Sequence, residues 1–253
     1  MKTLKLMIAL MFTLTLSAQS VYNLTYLDVP IQEIGKFVQL HNTITDMTVE
    51  KRGDFGSEFL FTHFQGSGPN VVIWTNYATV EDVYNDERVN AIGATWEALP
   101  EDERGEFEDL VRQYLPYWTG HSDEIRTVDY EKNVLFSEEM DWDTNFLILL
   151  MDYSTTGDAG PAFNNWITKP QVEAGVLLSG GFSTHLSGAG SDLQVWSLYP
   201  DMMTYAKSFS VSGDVEARKA FFGAVGGSHT DTMYRNQGYT NGGKFNLSGP
   251  NRE

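Results

Sequence analysis

The sequence predicts an α+β fold made of two tandem β-α-β-β-α-β repeats, and two internal matches carry this prediction. Residues 62–77 (THFQGSGPNVVIWTNY) align without a gap with residues 184–199 (THLSGAGSDLQVWSLY), with six identities in 16 positions at an offset of 122. The tripeptide His-Ser-Asp at 121–123 is echoed by His-Thr-Asp at 229–231, at an offset of 108. Self-similarity at a nearly fixed spacing is typical of a duplicated structural unit.

Each repeat opens with a strand and continues into a helix. Residues 21–29 (VYNLTYLDV) alternate along one face, whereas residues 145–153 (NFLILLMDY) are continuously apolar, as in a strand covered on both sides. Apolar residues from Ile31 to Ile44 follow Pro30 at helical spacing. A stretch from Pro161 predicts the corresponding helix of the second repeat.

Two strands and a Gly-containing loop form the centre of each repeat. Residues 58–64 and 71–76 flank GSGPN, and residues 182–186 and 193–198 flank GAGSD, which predicts two hairpins with loops of about five residues. Further helix and a last strand complete each unit. The first repeat carries an extra acidic helical segment at residues 86–104. This segment explains why the His-Ser-Asp and His-Thr-Asp motifs are 108 residues apart and not 122.

This element order is the split βαβ, or ferredoxin-like, unit. We expect the two antiparallel sheets to face each other and form an intrachain pseudo-dimeric barrel. The predicted divisions of the chain are a signal peptide at 1–18, a first repeat at 19–129, an acidic linker at 130–143, a second repeat at 144–238 and a flexible polar tail at 239–253.

A β-α-β-β-α-β unit with a Trp-containing third strand that ends in Tyr resembles the dimeric α+β barrel superfamily. The order of the elements and its repetition carry the resemblance, and the similarity in type is to the NIPSNAP-like and EthD-like groups of that superfamily. The resemblance implies a tandem copy that builds the barrel within one chain. It also implies the range of activities of that superfamily, which includes small monooxygenases, isomerases, haem-handling proteins and non-catalytic binders.

Composition and the N-terminus limit the function and the compartment. The chain has 34 acidic and 17 basic residues, a formal charge of −17, which argues against nucleic-acid binding. No cysteine is present, so thiol chemistry and disulfides are excluded. Lys2 and Lys5 precede an apolar stretch from Leu6 to Leu16, and small residues follow, which predicts export with cleavage near Ala18. We expect a secreted or periplasmic, soluble protein without a membrane span.

Four of the five histidines occupy repeat-matched positions and are the main site candidates. His63 and His185 are the predicted catalytic residues, as general bases beside an aromatic wall. The predicted ligand-binding residues are Trp74, Trp196, Tyr77, Tyr199, His121, His229, Asp123 and Asp231. The alternative is that the same residues serve the fold, with core Trp and Tyr and with His-Ser/Thr-Asp in local hydrogen bonds.

Sheet geometry constrains these pairs. In a ferredoxin-like sheet the second and fourth strands lie on opposite edges, about 14 Å apart over three strand spacings. His63 and His121 therefore cannot meet within one half, whereas pairs across the halves, such as His63 with His229, remain open. We expect His121 and His229 to be fixed by the Asp two residues later.

Two functions of different class follow, and a third stays open. The first is an exported protein that binds a small aromatic or apolar molecule in the barrel. The alternative is a cofactor-independent enzyme, monooxygenase-like or isomerase-like, that uses the repeated His as general base. A structural or interaction module without ligand is the third. No cofactor or metal is predicted, although haem or a divalent metal stays possible, and the chain is either a monomer with an internal pseudo-dimer or a homodimer.

Overall fold

Eight antiparallel strands close into a barrel in the computed structural model, which describes residues 20–53 and 55–248. The strands of the described residues are β1 (Ser20–Leu27), β2 (Ser57–Gly66), β3 (Val71–Tyr77), β4 (Ser122–Val128), β5 (Val134–Phe136), β6 (Leu147–Thr155), β7 (Ser179–Gly188), β8 (Leu193–Tyr199), β9 (Val225–Thr240) and β10 (Asn246–Leu247). The predicted signal segment lies outside the described residues.

Helices fill the connections. They are α1 (Ile34–Thr48), α2 (Val80–Asn85), α3 (Arg88–Ala98), α4 (Glu101–Tyr114), α5 (Tyr130–Asn133), α6 (Gly160–Phe163), α7 (Lys169–Glu173), α8 (Met202–Ser208) and α9 (Val215–Ala224). A π-helical turn at Asn164–Thr168 joins α6 to α7. The α+β class and the alternation of strands and helices agree with the prediction.

The barrel closes because both edge strands of each half pair with edge strands of the other half. Neighbouring strands follow the order β9-β2-β3-β1-β4-β7-β8-β6, and β6 returns to β9. Strand β2 pairs with β9, and β4 pairs with β7, so both edges of each half are covered. Closure removes unpaired strand edges, which are otherwise sites of aggregation.

Three hydrophobic cores follow from strand alternation, because successive side chains point to opposite faces. The barrel interior holds Tyr22, Trp74, Trp196 and other aromatic residues. Helices α1 and α4 cover the outside of the first half, where Phe37 and Tyr114 pack on Ile73. The outside of the second half is covered by α6 and α9.

Two segments predicted as linker and tail take part in packing. The linker contains α5 and β5, and β5 pairs with β7 through Val134 and Gly181. Beyond residue 239, Phe245 is buried, and Leu247 is both buried and paired with Gly238 of β9. The packed chain therefore extends at least to Ser248.

Among residues 20–53 and 55–248, the structure contains no helix with the length and hydropathy required to cross a membrane.

Candidate functional site

An aromatic pocket lies in the barrel at the end where β3 and β8 finish. It encloses about 50 Å³, which is room for a few water molecules. None of its described lining side chains carries a charge. They are Phe59, Phe61, Trp74, Asn76, Tyr130, Val134, Phe136, Trp142, Phe146, Ile148, Ser179, Trp196 and Leu198.

Two tryptophans form the floor of this pocket, and a tyrosine packs against one of them from outside the lining. The rings of Trp74 and Trp196 meet edge to face at 5.4 Å, and Tyr22 stacks on Trp74 at 4.2 Å. Both tryptophans are at most 5% exposed. Aromatic pairs in these arrangements add to the stabilisation from buried area alone, so the floor is rigid.

The polar wall of the pocket is centred on Asn76. Its Oδ1 accepts hydrogen bonds from Trp74 Nε1 at 2.9 Å and from the Tyr130 hydroxyl at 2.6 Å. Its Nδ2 donates to Ser57 Oγ at 2.8 Å. The amide is therefore fixed on three sides, and burial raises the pKa of Tyr130, which keeps its proton at neutral pH.

The segment between the halves covers the pocket. Trp142 packs on Phe59 at 5.1 Å, on Phe146 at 6.1 Å and on Phe136 at 6.2 Å between ring centroids. Trp142 is half-buried, whereas Phe136 is 48% exposed. Because the enclosed space is small, a ligand larger than water enters only if this cover moves.

A buried polar network fills the barrel beyond the floor. The Tyr22 hydroxyl lies 2.6 Å from Ser183 Oγ and donates to Gln194 Oε1 at 2.9 Å. Arg126, fully buried, donates to Ser183 Oγ and pairs with Glu124. Gln194 also donates to Asp152, whose pKa is raised by burial. These contacts pair the buried polar groups near the hairpin end of the barrel. The aromatic pocket lies at the opposite end.

The predicted catalytic histidines lie at the hairpin end, not in the pocket. His63 Nε2 is 3.2 Å from the carbonyl oxygen of Gly66, and His185 Nε2 is 3.3 Å from that of Gly188. The same contact thus recurs in both halves, on the loop that each hairpin needs to turn. Across the halves, the register sets His63 opposite Tyr234 and not opposite another histidine.

The repeated His-Ser/Thr-Asp motifs form local pairs on the surface. His121 Nε2 lies 3.2 Å from Asp123 Oδ2, and His229 Nε2 lies 3.2 Å from Asp231 Oδ2. All four side chains are 41% to 48% exposed. The expected contacts of the two histidines are therefore present, at a distance from the pocket floor.

The repeated glycines and aspartates meet where the two halves join. A Cβ on Gly66 would lie 2.4 Å from the carbonyl oxygen of Asp231, and one on Gly188 would lie 2.2 Å from that of Asp123. Both glycines also have positive φ, at 99° and 86°. Only glycine fits such positions, so these repeated residues are accounted for by barrel closure.

The other repeated aromatic residues divide between the two faces. Trp74 and Trp196 line the pocket, where their rings can contact a ligand. Tyr77 and Tyr199 lie three residues later and face the outer layer, where they donate to Asp86 Oδ2 at 2.7 Å and to Gln171 Oε1 at 2.9 Å. An odd spacing on a strand places side chains on opposite faces, so neither tyrosine forms a rim of this pocket.

Sequence reasoning missed the residues that differ between the repeats. At the offset of 122, Asn76 matches Leu198, and Phe59 matches Gly181. The pocket is therefore lined in part by residues that differ between the two halves, together with Tyr130 and Trp142 from the linker. Three aromatic residues within an acidic linker, Tyr130, Phe136 and Trp142, were the available signal, because a purely solvated connection seldom needs them.

A buried charged cluster lies outside the barrel, between β2 and the helices of the first half. Glu58 is fully buried and contacts His41, Arg52 and Arg88. Burial alone would raise the pKa of Glu58, but the two guanidinium groups and His41 hold it well below its ordinary value. The cluster joins α1, β2 and α3, and none of its members lines the aromatic pocket.

Residue types that could hold a metal ion or haem iron are spread over the described part of the structure. Within the described ranges, no three His, Asp or Glu side chains lie close enough to hold a metal ion. None of the described histidines lines the aromatic pocket, and Tyr130 is the one described lining residue of a type that can serve as an axial haem ligand. A wider groove of about 680 Å³ between α7 and α9 is shallow, open to solvent and flanked by carboxylates.

Comparison with known proteins identifies the fold but no sequence family. No family model matches the chain, and no curated protein matches it. The structure is similar to that of an anthrone oxidase-like protein, with a TM-score of 0.57 and 12% identity over 90% of this chain and 94% of that one. The shared fold is an α+β barrel.

Two further solved structures of this fold are similar. A candidate monooxygenase from Fusobacterium nucleatum subsp. nucleatum aligns with a TM-score of 0.54 and 12% identity over 92% of this chain and 99% of that one. A candidate monooxygenase from Lactobacillus acidophilus NCFM aligns with a TM-score of 0.53 and 9% identity over 91% of this chain and 100% of that one. At these sequence identities the similarity is one of fold, the α+β barrel.

Proposed function

We propose that this protein binds a small, neutral aromatic or apolar molecule in the aromatic pocket of the barrel. The observation that carries the proposal is an uncharged pocket whose floor is Trp74 and Trp196 and whose polar lining residues are Asn76, Tyr130 and Ser179. Ligand sites are mostly apolar concavities with a few placed polar groups. Flat rings suit this lining, because they stack on the indole faces as Tyr22 already does on Trp74.

The proposal includes the organisation inferred from the sequence. The two halves are tandem ferredoxin-like repeats, 19–129 and 144–238, that form a pseudo-dimer within one chain, of a type near the NIPSNAP-like and EthD-like groups. The chain is exported after cleavage near Ala18. The repeated order of strands around the barrel supports the first point, and the basic and apolar N-terminal residues support the second.

A second candidate function is cofactor-independent oxidation of the bound aromatic molecule. It is favoured by the names of similar structures, an anthrone oxidase-like protein and two candidate monooxygenases. It is also favoured by the fixed Asn76–Tyr130 pair, which would orient a substrate oxygen. Haem or a divalent metal stays open as a minor alternative, which an absorption spectrum and metal analysis of the purified protein check.

The binding proposal is tested by calorimetric titration with neutral naphthalene derivatives. We expect saturable one-to-one binding, and we expect Trp142→Ala to change the association rate because it opens the cover. Phe209→Ala removes an aromatic ring that is 75% exposed and does not line the pocket, and it serves as the matched control. Absence of saturable binding by the wild-type chain would overturn the proposal. Oxygen consumption with an anthrone as substrate separates the enzyme from the binder.

A further inference from the structure

We infer that Tyr130 selects the ligand of the aromatic pocket, and that it favours a neutral aromatic molecule carrying a hydrogen-bond donor, such as a phenol. The inference rests on the proposed function, because it specifies the ligand class of the same pocket. Tyr130 belongs to the segment between the two halves and lies in the pocket lining beside Asn76.

The orientation of the Asn76 amide follows from its neighbours. The indole nitrogen of Trp74 is a donor only, so the Asn76 atom 2.9 Å from it must be the oxygen. The amide nitrogen then faces Ser57 Oγ, which accepts at 2.8 Å. Asn76 therefore presents an acceptor, and not a donor, toward Tyr130.

The direction of the Tyr130 hydrogen bond is fixed in turn. Its hydroxyl lies 2.6 Å from Asn76 Oδ1, which has no proton to give. Tyr130 must donate its single proton to Asn76, and its own oxygen keeps lone-pair capacity. A ligand that meets this oxygen is bound through a donor, whereas an ether or carbonyl oxygen at the same place would face an acceptor.

Charge excludes anionic ligands from the same pocket. The described lining residues contain no Lys, Arg or His that could neutralise a carboxylate. The covering segment carries Glu138, Glu139, Asp141 and Asp143. Burial of an unpaired charge is costly, so an acid of the same shape should bind much more weakly than the phenol.

The second repeat suggests the substitution that tests the direction of the Tyr130–Asn76 hydrogen bond. Leu198 stands at the position that matches Asn76, at the offset of 122. Asn76→Leu removes the acceptor that holds the Tyr130 proton, so the hydroxyl becomes free to donate to a ligand. Tyr130→Phe instead removes the hydroxyl, and Tyr117→Phe, whose hydroxyl bonds Glu33 outside the barrel, is the matched control.

The experiment is calorimetric titration of the full chain and its variants with 1-naphthol, 1-methoxynaphthalene and 1-naphthoate. For the wild type and Tyr117→Phe we expect 1-naphthol to bind about 5–10-fold more tightly than 1-methoxynaphthalene, as one hydrogen bond allows. We expect 1-naphthoate to bind at least about tenfold more weakly than 1-naphthol. Both Tyr130→Phe and Asn76→Leu should reduce the preference between the neutral probes to about twofold or less.

The outcomes separate the inference from the proposed function. If no neutral probe binds the wild type, both are overturned. If both neutral probes bind equally well, or if the preference survives in Tyr130→Phe, the pocket stands and the selection by Tyr130 is wrong. Circular dichroism confirms the fold of each variant, and if one variant is unfolded, the preference measured in the other decides.

Discussion

His41 Nε2 lies 3.2 Å from Glu58 Oε1, and neither side chain is exposed to solvent. On the other side of the ring, Nδ1 is 2.8 Å from the Tyr114 hydroxyl. A neutral imidazole is compatible with both contacts, because Tyr114 can donate to Nδ1, whereas Nε2 lies close to the carboxylate without an aligned hydrogen bond. The pair therefore joins α1, β2 and α4 on the outside of the first half.

This arrangement predicts that the protein loses stability in acid. Burial lowers the pKa of His41, against an opposing effect of Glu58, and the pKa of Glu58 is held well below 4.5. The unfolded chain therefore binds a proton at His41 as pH falls below about 6.5, and another at Glu58 below about 4.5, before the folded state does. Both effects lower the free energy of unfolding as pH falls.

Urea titrations between pH 8 and pH 4 measure this dependence. In His41→Gln the part of the decline that begins near pH 6.5 should be reduced. An unchanged pH profile in that variant would show that His41 does not contribute to the acid sensitivity.

Removal of the Glu58 charge should strongly destabilise the fold. Glu58→Gln removes the carboxylate shared by Arg52, which is buried, and Arg88, whose side chain is 22% exposed, and the loss should cost about 3–5 kcal/mol. Glu216→Gln is the control, since its pair with Lys219 is exposed and should contribute less than about 0.5 kcal/mol. Chemical denaturation compares the two, and a similar small loss in both would mean that the cluster tolerates an unpaired charge.

The repeated histidines should matter for stability and not for ligand binding. His63→Ala with His185→Ala removes one contact to the first hairpin loop and two to the second, which should cost about 1–2 kcal/mol in total. Binding of 1-naphthol should be unchanged, because both side chains lie at the far end of the barrel. Thermal melting and calorimetry decide the point, and a loss of binding or turnover at unchanged melting temperature would support their predicted catalytic role.

Gly181 should be required for the linker to dock on the barrel. A Cβ there would lie 2.6 Å from the carbonyl oxygen of Asn133 and 3.0 Å from Trp196 Cζ2. Gly181→Ala should therefore cost about 1–3 kcal/mol and disturb the pocket. Gly105→Ala, with nothing within 4 Å of the added atom in α4, should instead stabilise by about 0.5–1 kcal/mol. Equal effects of the two substitutions would argue against close docking at Gly181.

The sequence by itself determined the α+β class, the order of the elements and the two hairpins. These features depend on local periodicity and on glycines that permit a turn, and both are readable along the chain. The internal repeat added the comparison of His63 with His185 and of Trp74 with Trp196. The repeat drew attention to residues shared by both halves, and many of those contact the hairpins and the junctions between the halves.

Only the tertiary structure decided which residues form the pocket. Asn76 and Tyr130 are 54 positions apart, and no local pattern places a linker tyrosine against the end of β3. The burial of His41 with Glu58, Arg52 and Arg88 likewise depends on how α1 and α3 cover the sheet. Such contacts arise from packing between distant segments, whose free energy depends on the shape of the whole barrel and not on neighbours in sequence.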